Sequence, residues 1–166
     1  MIKIGILSDT HLSKSTAQFR KNCATAFSGC DTIIHAGDLT DISLLATFSG
    51  KDVYGVHGNM CNQSTRQLLP DKRVILLEGY SIGISHGTGS SHNVEDRLIA
   101  LFPETDCIVY GHTHIPVCHT VGNTLFINPG SFQGSGLYGA PGTYGLLHIE
   151  EKGLKGSIHK LVSCQL

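Results

Sequence analysis

Asp106-Cys107-Ile108-Val109-Tyr110-Gly111-His112-Thr113-His114 is a stretch that is apolar after its first residue and ends in a glycine and two histidines. A short apolar run closed by a breaker reads as a buried strand leaving its sheet. Histidines at i and i+2 fall on the same side of an extended backbone, so both imidazoles are expected to reach into one place. Imidazole serves zinc-, iron- and manganese-type sites when carboxylates complete the shell.

The same grammar recurs outward from this stretch. Asp9 and His11 follow the apolar residues 2–7, Asp38 follows 32–36, Asn59 follows 53–57 and His86 follows 81–85. In an open α/β sheet, functional side chains gather outside the carboxyl ends of the strands, which is where each segment puts its polar residue. Between the strands, residues 15–27 carry Phe19, Cys23, Ala26 and Phe27 at helical spacing. Asp41 caps a second helix bearing Leu44, Leu45 and Phe48; residues 63–69 and 93–102 read as helices halted by Pro70 and Pro103. This βαβαβ opening implies parallel strands with right-handed crossovers. Further on, Glu78-Gly79 and Gly122-Asn123 are hairpin turns, residues 133–142 a Gly- and Ser-rich surface loop, and Lys152-Gly153 the turn of a final β pair.

At 166 residues the chain has the size of one domain, expected to span 1–166 around a single core. Its net charge of −1 and 15% charged residues leave no electrostatic footprint for an extended nucleic-acid surface or an anionic membrane. No apolar run approaches the ~20 residues of a membrane span, and the N-terminus starts a strand where a secretory leader would start, so a cytoplasmic protein is expected. Cys23, Cys30, Cys61, Cys107, Cys118 and Cys164 contain no C-x-x-C pair and are expected to be reduced thiols.

Seven side chains thus stand as candidate ligands: Asp9, His11, Asp38, Asn59, His86, His112 and His114. That exceeds the three or four that one catalytic ion takes from protein, so two adjacent divalent ions sharing a carboxylate are the economical reading. Such a pair acidifies a shared water and clamps the attacking and leaving oxygens of an in-line displacement, which suits a phosphate ester. There is no H-E-x-x-H and no G-x-x-x-x-G-K-[ST], which argues against a helical zinc protease and a P-loop nucleotide hydrolase.

The blocks Ser8-Asp9-Thr10-His11, Gly37-Asp38, Gly58-Asn59, Ser85-His86-Gly87 and Gly111-His112-Thr113-His114, with Asn128-Pro129-Gly130-Ser131, resemble the signature of the calcineurin-like metallophosphoesterases. Within that superfamily the chain is most similar to the small single-domain phosphodiesterases of bacteria and archaea. The resemblance implies an α/β fold in which a two-sheet β-sandwich is flanked by helices (αββα). It also implies a hydrolase in which a metal-bridging hydroxide attacks phosphorus, with Asp38, Asn59 and His86 as catalytic residues. A first ion would be held by Asp9, His11, Asp38 and His114, a second by Asp38, Asn59, His86 and His112, with Asp38 bridging. Asn128 and Ser131 would support the ligand loops from behind.

Manganese is the expected activating ion, with iron, zinc, nickel and cobalt equally compatible with these donors. The expected substrate is a small phosphodiester or nucleotide, with no membrane partner; a homo-oligomer is compatible with the sequence. One departure bears on chemistry. The family commonly follows its Gly-Asn with His or Cys and then an acidic residue, whereas this chain has Met60-Cys61. Met60 has no proton to give a leaving oxygen, which predicts a preference for good leaving groups. The competing reading is a metal-binding scaffold without turnover, resembling the retromer subunit of the same fold. His35 and His57 are expected inside strands as structural residues, His92 at the start of a helix with contact to a substrate phosphate as the alternative, and His119, His148 and His159 in late strands away from the site.

Overall fold

The computed structural model describes residues 2–134 and 141–162, so most of the loop expected over 133–142 lies outside the described residues. Two five-stranded sheets face each other. The first contains β1 (Ile2–Leu7), β2 (Thr32–His35), β3 (Asp52–Gly55), β9 (Thr143–Glu150) and β10 (Gly153–Lys160), in the order β10-β9-β1-β2-β3. The second contains β4 (Lys72–Leu77), β5 (Tyr80–Ser85), β6 (Cys107–Val109), β7 (Val117–Val121) and β8 (Thr124–Asn128), in the order β4-β5-β6-β8-β7. As the βαβαβ pattern requires, β1 is parallel to β2 and β2 to β3. The hairpins about Glu78-Gly79 and Gly122-Asn123 are antiparallel, and both residues of the first turn have positive φ, 49° and 86°.

Strand alternation separates three apolar layers. Ile4, Ile6, Ile34, Ile82, Ile84, Val109, Ile127 and Leu147 fill the space between the sheets. On the outer face of the first sheet, Leu7 and Ile33 meet Phe19, Cys23 and Phe27 of the α1 (Ala17–Ala26) region. Outside the second sheet, Ile108 and Phe126 meet Val94, Leu98 and Phe102 of the α3 (Val94–Leu101) region. The result is the helix-sheet-sheet-helix stack expected. Thr16 caps α1 by accepting from the Phe19 N–H at 3.0 Å, and Asn62 caps α2 (Gln63–Leu68) through the Thr65 N–H at 2.8 Å.

Two local expectations change. Asp41 does cap a helix, accepting from the Ser43 N–H at 2.9 Å, but Ile42–Phe48 is a 3₁₀ segment. Its first N–H, which has no partner within the helix, donates to Thr65 Oγ1 at 2.8 Å, and short helical pieces of this kind are where 3₁₀ geometry occurs. β3 ends at Gly55, so His57 lies beyond the strand and not inside it. Cys23, Cys30, Cys61, Cys107 and Cys118 are free thiols; Cys164 is outside the described residues. No helix among the described residues is long and apolar enough to cross a membrane.

Each sheet has a bare strand position where a helix-side aromatic ring lies on it. A Cβ on Gly5 would collide with the Phe27 ring, and one on Gly83 would sit 2.7 Å from Phe102 Cγ. Overpacking such a contact costs roughly 1–3 kcal/mol. Gly83→Val is therefore expected to lower the urea midpoint by that amount of stability, whereas Leu76→Thr on the exposed face of β4 should change it by less than about 0.5 kcal/mol. Equal effects in equilibrium urea unfolding would show that the ring does not need the bare strand.

Candidate metal centre

The carboxyl ends of β1, β2, β3, β5 and β6 open onto one place where the two sheets meet, and the seven candidate ligands converge there. Asp9 is fully buried and Asp38 nearly so. His114 Nε2 lies 3.1 Å and His11 Nε2 3.8 Å from Asp9 Oδ1, and the two nitrogens are 3.4 Å apart. His86 Nε2 lies 3.2 Å from Asp38 Oδ2 and 3.9 Å from Asp9 Oδ1. Two sets of three donors are close enough to share an ion, Asp9 with His11 and His114, and Asp9 with Asp38 and His86. His112 Nδ1 stands 3.1 Å from Asn59 Oδ1, and its ring is edge-on to that of His86 at 5.2 Å.

Asp9 is common to both three-donor sets, and Asp38 belongs to the second. The reason is local. Asp9 Oδ2 accepts from Ser8 Oγ at 2.7 Å and the His112 N–H at 3.1 Å, which leaves Oδ1 facing the histidines. Asp38 Oδ1 accepts from the Met60 N–H at 2.7 Å, leaving Oδ2 for His86.

The histidine pair also departs from the extended geometry expected for it. His112 and His114 have φ of 70° and 58°, beyond the end of β6, and they diverge, His114 towards Asp9 and His11, His112 towards Asn59 and His86. Asp9, His11 and Asp38 are likewise left-handed, at 53°, 48° and 54°. Non-glycine residues in this region cost about 1–3 kcal/mol each and persist only where the surroundings dictate them. The tight backbone approach fits the glycines beside the ligands. A Cβ on Gly58 would strike Asp38 Oδ1, and one on Gly111 would come within 2.8 Å of Asp9 Oδ2.

Several observations fit this donor set to cations. His86 Nδ1 faces the Ala36 carbonyl at 2.8 Å and must carry a proton, so Nε2 is the nitrogen left to face a cation, a proton or a metal ion; that atom is buried without a hydrogen-bond partner. His112 Nε2 similarly faces the Gly89 carbonyl at 3.0 Å, and its Nδ1 faces Asn59 Oδ1 at 3.1 Å, so the ring edge nearest Asn59 is the one left for a cation. Burial works to lower the His86 pKa, but the Asp38 and Asp9 carboxylates overcome it and hold the imidazole above its usual value. Burial would raise the Asp38 carboxyl, yet the His86 imidazole and the Met60 N–H bring it below the usual range. Both shifts mark a place that draws positive charge.

Residues behind the ligands hold the loops. Asn128 Nδ2 donates to the Gly111 carbonyl at 2.9 Å and Thr113 Oγ1 at 3.0 Å, and Ser131 Oγ donates to the Asp9 carbonyl at 3.1 Å, the supporting places implied for both. His35 is a structural residue. It is fully buried, with Nε2 bonded to Thr10 Oγ1 at 3.1 Å and Nδ1 accepting from the Gly37 N–H at 3.3 Å, and burial pushes its pKa down to about 4. His119 is tied to Glu95 at 3.0 Å and His159 stacks on Tyr144, both outside the ligand cluster.

Ser8, the Met60 N–H and the Ala36 and Gly89 carbonyls were not foreseen as contributors. Only Ser8 had a signal, its place next to Asp9. A cleft of about 430 Å³ adjoins Asn59 and His86 and is lined by His57, Arg66, Asp71 and Arg97 among others.

Comparison with known proteins places this geometry. A protein of Methanocaldococcus jannaschii named as a probable metallophosphoesterase is 33% identical over 132 residues, covering 77% of this chain and 67% of the relative. A phosphodiesterase of the same organism is 27% identical over 169 residues, covering 91% and 95%. The zinc complex of Vps29 from Entamoeba histolytica superposes with a TM-score of 0.76 at 22% identity over 99% of this chain and 95% of that one, a likeness of fold. The sequence profile of the calcineurin-like phosphoesterase superfamily domain matches residues 2–152, and the chain belongs to that superfamily.

Proposed function

We propose that the protein is a divalent-metal-dependent phosphodiesterase with two ions held by Asp9, His11, Asp38, Asn59, His86, His112 and His114. The single observation that carries this reading is the buried, unpartnered His86 Nε2 facing two carboxylates in a place that draws positive charge. Phosphodiesterase is also the name given to the Methanocaldococcus relative that spans nearly this whole chain.

When bound, the ions supply a water nucleophile at neutral pH and positive charge on the phosphoryl oxygens. The chain's own residues do the rest. Asp9 and Asp38 give each ion an anionic partner in a buried setting where charge interacts strongly. Ser8 and the backbone N–H groups of Met60 and His112 fix which carboxylate oxygens face inward. The carbonyls of Ala36 and Gly89 orient the imidazoles of His86 and His112. Manganese is the proposed activating ion, and a small phosphodiester or nucleotide the proposed substrate, entering through the cleft beside Asn59 and His86.

Metal-stripped protein is expected to leave bis(p-nitrophenyl) phosphate intact and to gain saturable activity with Mn²⁺. Asp38→Ala should lose about 10²–10⁴-fold of that turnover, the several kcal/mol that a metal clamp contributes. A folded, metal-binding protein without turnover under any divalent ion would move the assignment to a scaffold.

Leaving-group preference is a separate expectation. The Met60 side chain is exposed and carries no transferable proton, while Cys61 is buried with Sγ accepting from the Gly58 N–H at 3.3 Å, the role of a small packing residue. Activated nitrophenyl diesters should therefore turn over far faster than alkyl monoesters. Met60→His should raise kcat on the poor leaving groups selectively, towards the ~10²–10⁴-fold that general acid catalysis supplies. Comparable wild-type rates on both substrate classes would contradict the assignment.

A further inference from the structure

We propose that Arg97 is a positioning residue for the metal ligand His112, acting through the loop of residues 87–90; this rests on the two-ion reading above. His112 is one of the more exposed ligands, with a left-handed backbone, and its ring is held in place from behind by one contact, Nε2 to the Gly89 carbonyl at 3.0 Å. That carbonyl belongs to a loop with no regular secondary structure. Such a loop has no ladder of its own to aim one carbonyl at a ring nitrogen.

Arg97 supplies the missing order. It projects from α3, which is anchored by Val94 and Leu98 packed on the second sheet. Its Nη1 donates to the Thr88 carbonyl at 2.9 Å, and its Nη2 to the Ser90 carbonyl at 2.7 Å and the Gly87 carbonyl at 3.3 Å. Three of the loop's four carbonyls are thus gathered on one planar fork, and the fourth, that of Gly89, is the one left to face His112. A Cβ on Gly89 would lie 3.1 Å from Arg97 Nη1, so the guanidinium packs directly on the turn it shapes.

The chemical consequence is the aim of the ring. The Gly89 carbonyl holds the Nε2 edge of His112 and its proton, which points Nδ1 at the position beside Asn59 Oδ1, 3.1 Å away, where it would ligate an ion. Without the fork, the loop carbonyls return to water and the ring loses the contact that aims it. Lysine does not replace the function, because a single ammonium has no fixed fork to organise three carbonyls.

The test uses the full chain with Mn²⁺ as the probe and two readouts that do not depend on turnover. Calorimetric titration of metal-stripped wild type should register two ions. Arg97→Ala should keep one at wild-type affinity and bind the other about 10–100-fold more weakly, the usual cost of losing a partner behind a ligand, with Arg97→Lys no better. His112→Ala should weaken the same step. In metal-stripped protein, the ¹⁵N chemical shifts of the His112 imidazole should show Nε2 carrying a proton in the wild type and a lower occupancy of that proton in Arg97→Ala.

Two ions bound with unchanged affinity by Arg97→Ala, with the His112 Nε2 proton at wild-type occupancy, would overturn the proposal while leaving the two-ion site standing. So would recovery by lysine, which would make charge the cause, or equal weakening of both ions together with a lower melting temperature, which would make the effect structural. A wild type that takes up a single ion would remove the two-ion reading and this proposal with it.

Discussion

Asp9 and Asp38 are carboxylates with 0% and 2% exposure, both aimed at His86 Nε2, and the rest of the site is arranged to keep them there. Two buried carboxylates close together repel each other and lose hydration, costs that positive charge between them offsets. The raised His86 pKa and lowered Asp38 pKa express that demand. The demand also links the two halves of the fold. His86 leaves β5 in the second sheet, yet its other nitrogen bonds the Ala36 carbonyl beside β2 in the first. Whatever stabilises this cluster therefore holds the carboxyl ends of both sheets together.

Much of the architecture was legible because it follows from local rules. Alternating apolar residues at 2–7 and 80–85 specify strands with a buried face, the spacing of Phe19, Cys23, Ala26 and Phe27 specifies a helix, Asp41 specifies a helix start, and Glu78-Gly79 specifies a turn. The seven ligand candidates were visible because each follows an apolar run, and a strand end is where a side chain escapes the core. What the pattern did not contain was the path of the loops beyond those ends. The i, i+2 spacing of His112 and His114 suggested one shared face, but left-handed φ values send the two rings to different neighbours.

The same limit hid the supporting contacts. Backbone carbonyls such as those of Ala36 and Gly89 have no residue identity to read, and their direction is set by long-range packing. Arg97 illustrates the point, since in sequence it is an arginine on a half-exposed helix face, unremarkable until its fork is seen closing on three carbonyls. The start of the 3₁₀ segment Ile42–Phe48 is another case, because its first N–H donates to Thr65 more than twenty positions away.

The distribution of strain bears on whether this site or the outer surface is the part that matters. Among the described non-glycine residues with positive φ, five are candidate ligands, and only Glu78 and Glu104 lie at turns remote from the cluster, Thr40 being close to Asp38 in sequence and His11 and His112 among the five. Strain of this kind is retained where the surrounding structure over-determines it, as at active sites and ligand clamps. A scaffold that worked only through its outer faces would need the sheets and the helices but not these costly loop conformations. The likeness to Vps29 is one of fold, which many functions share; function is argued from sites. Concentrating the unfavourable backbone at the ligands is what a chain does when it holds ions in a defined geometry at the junction of the sheets.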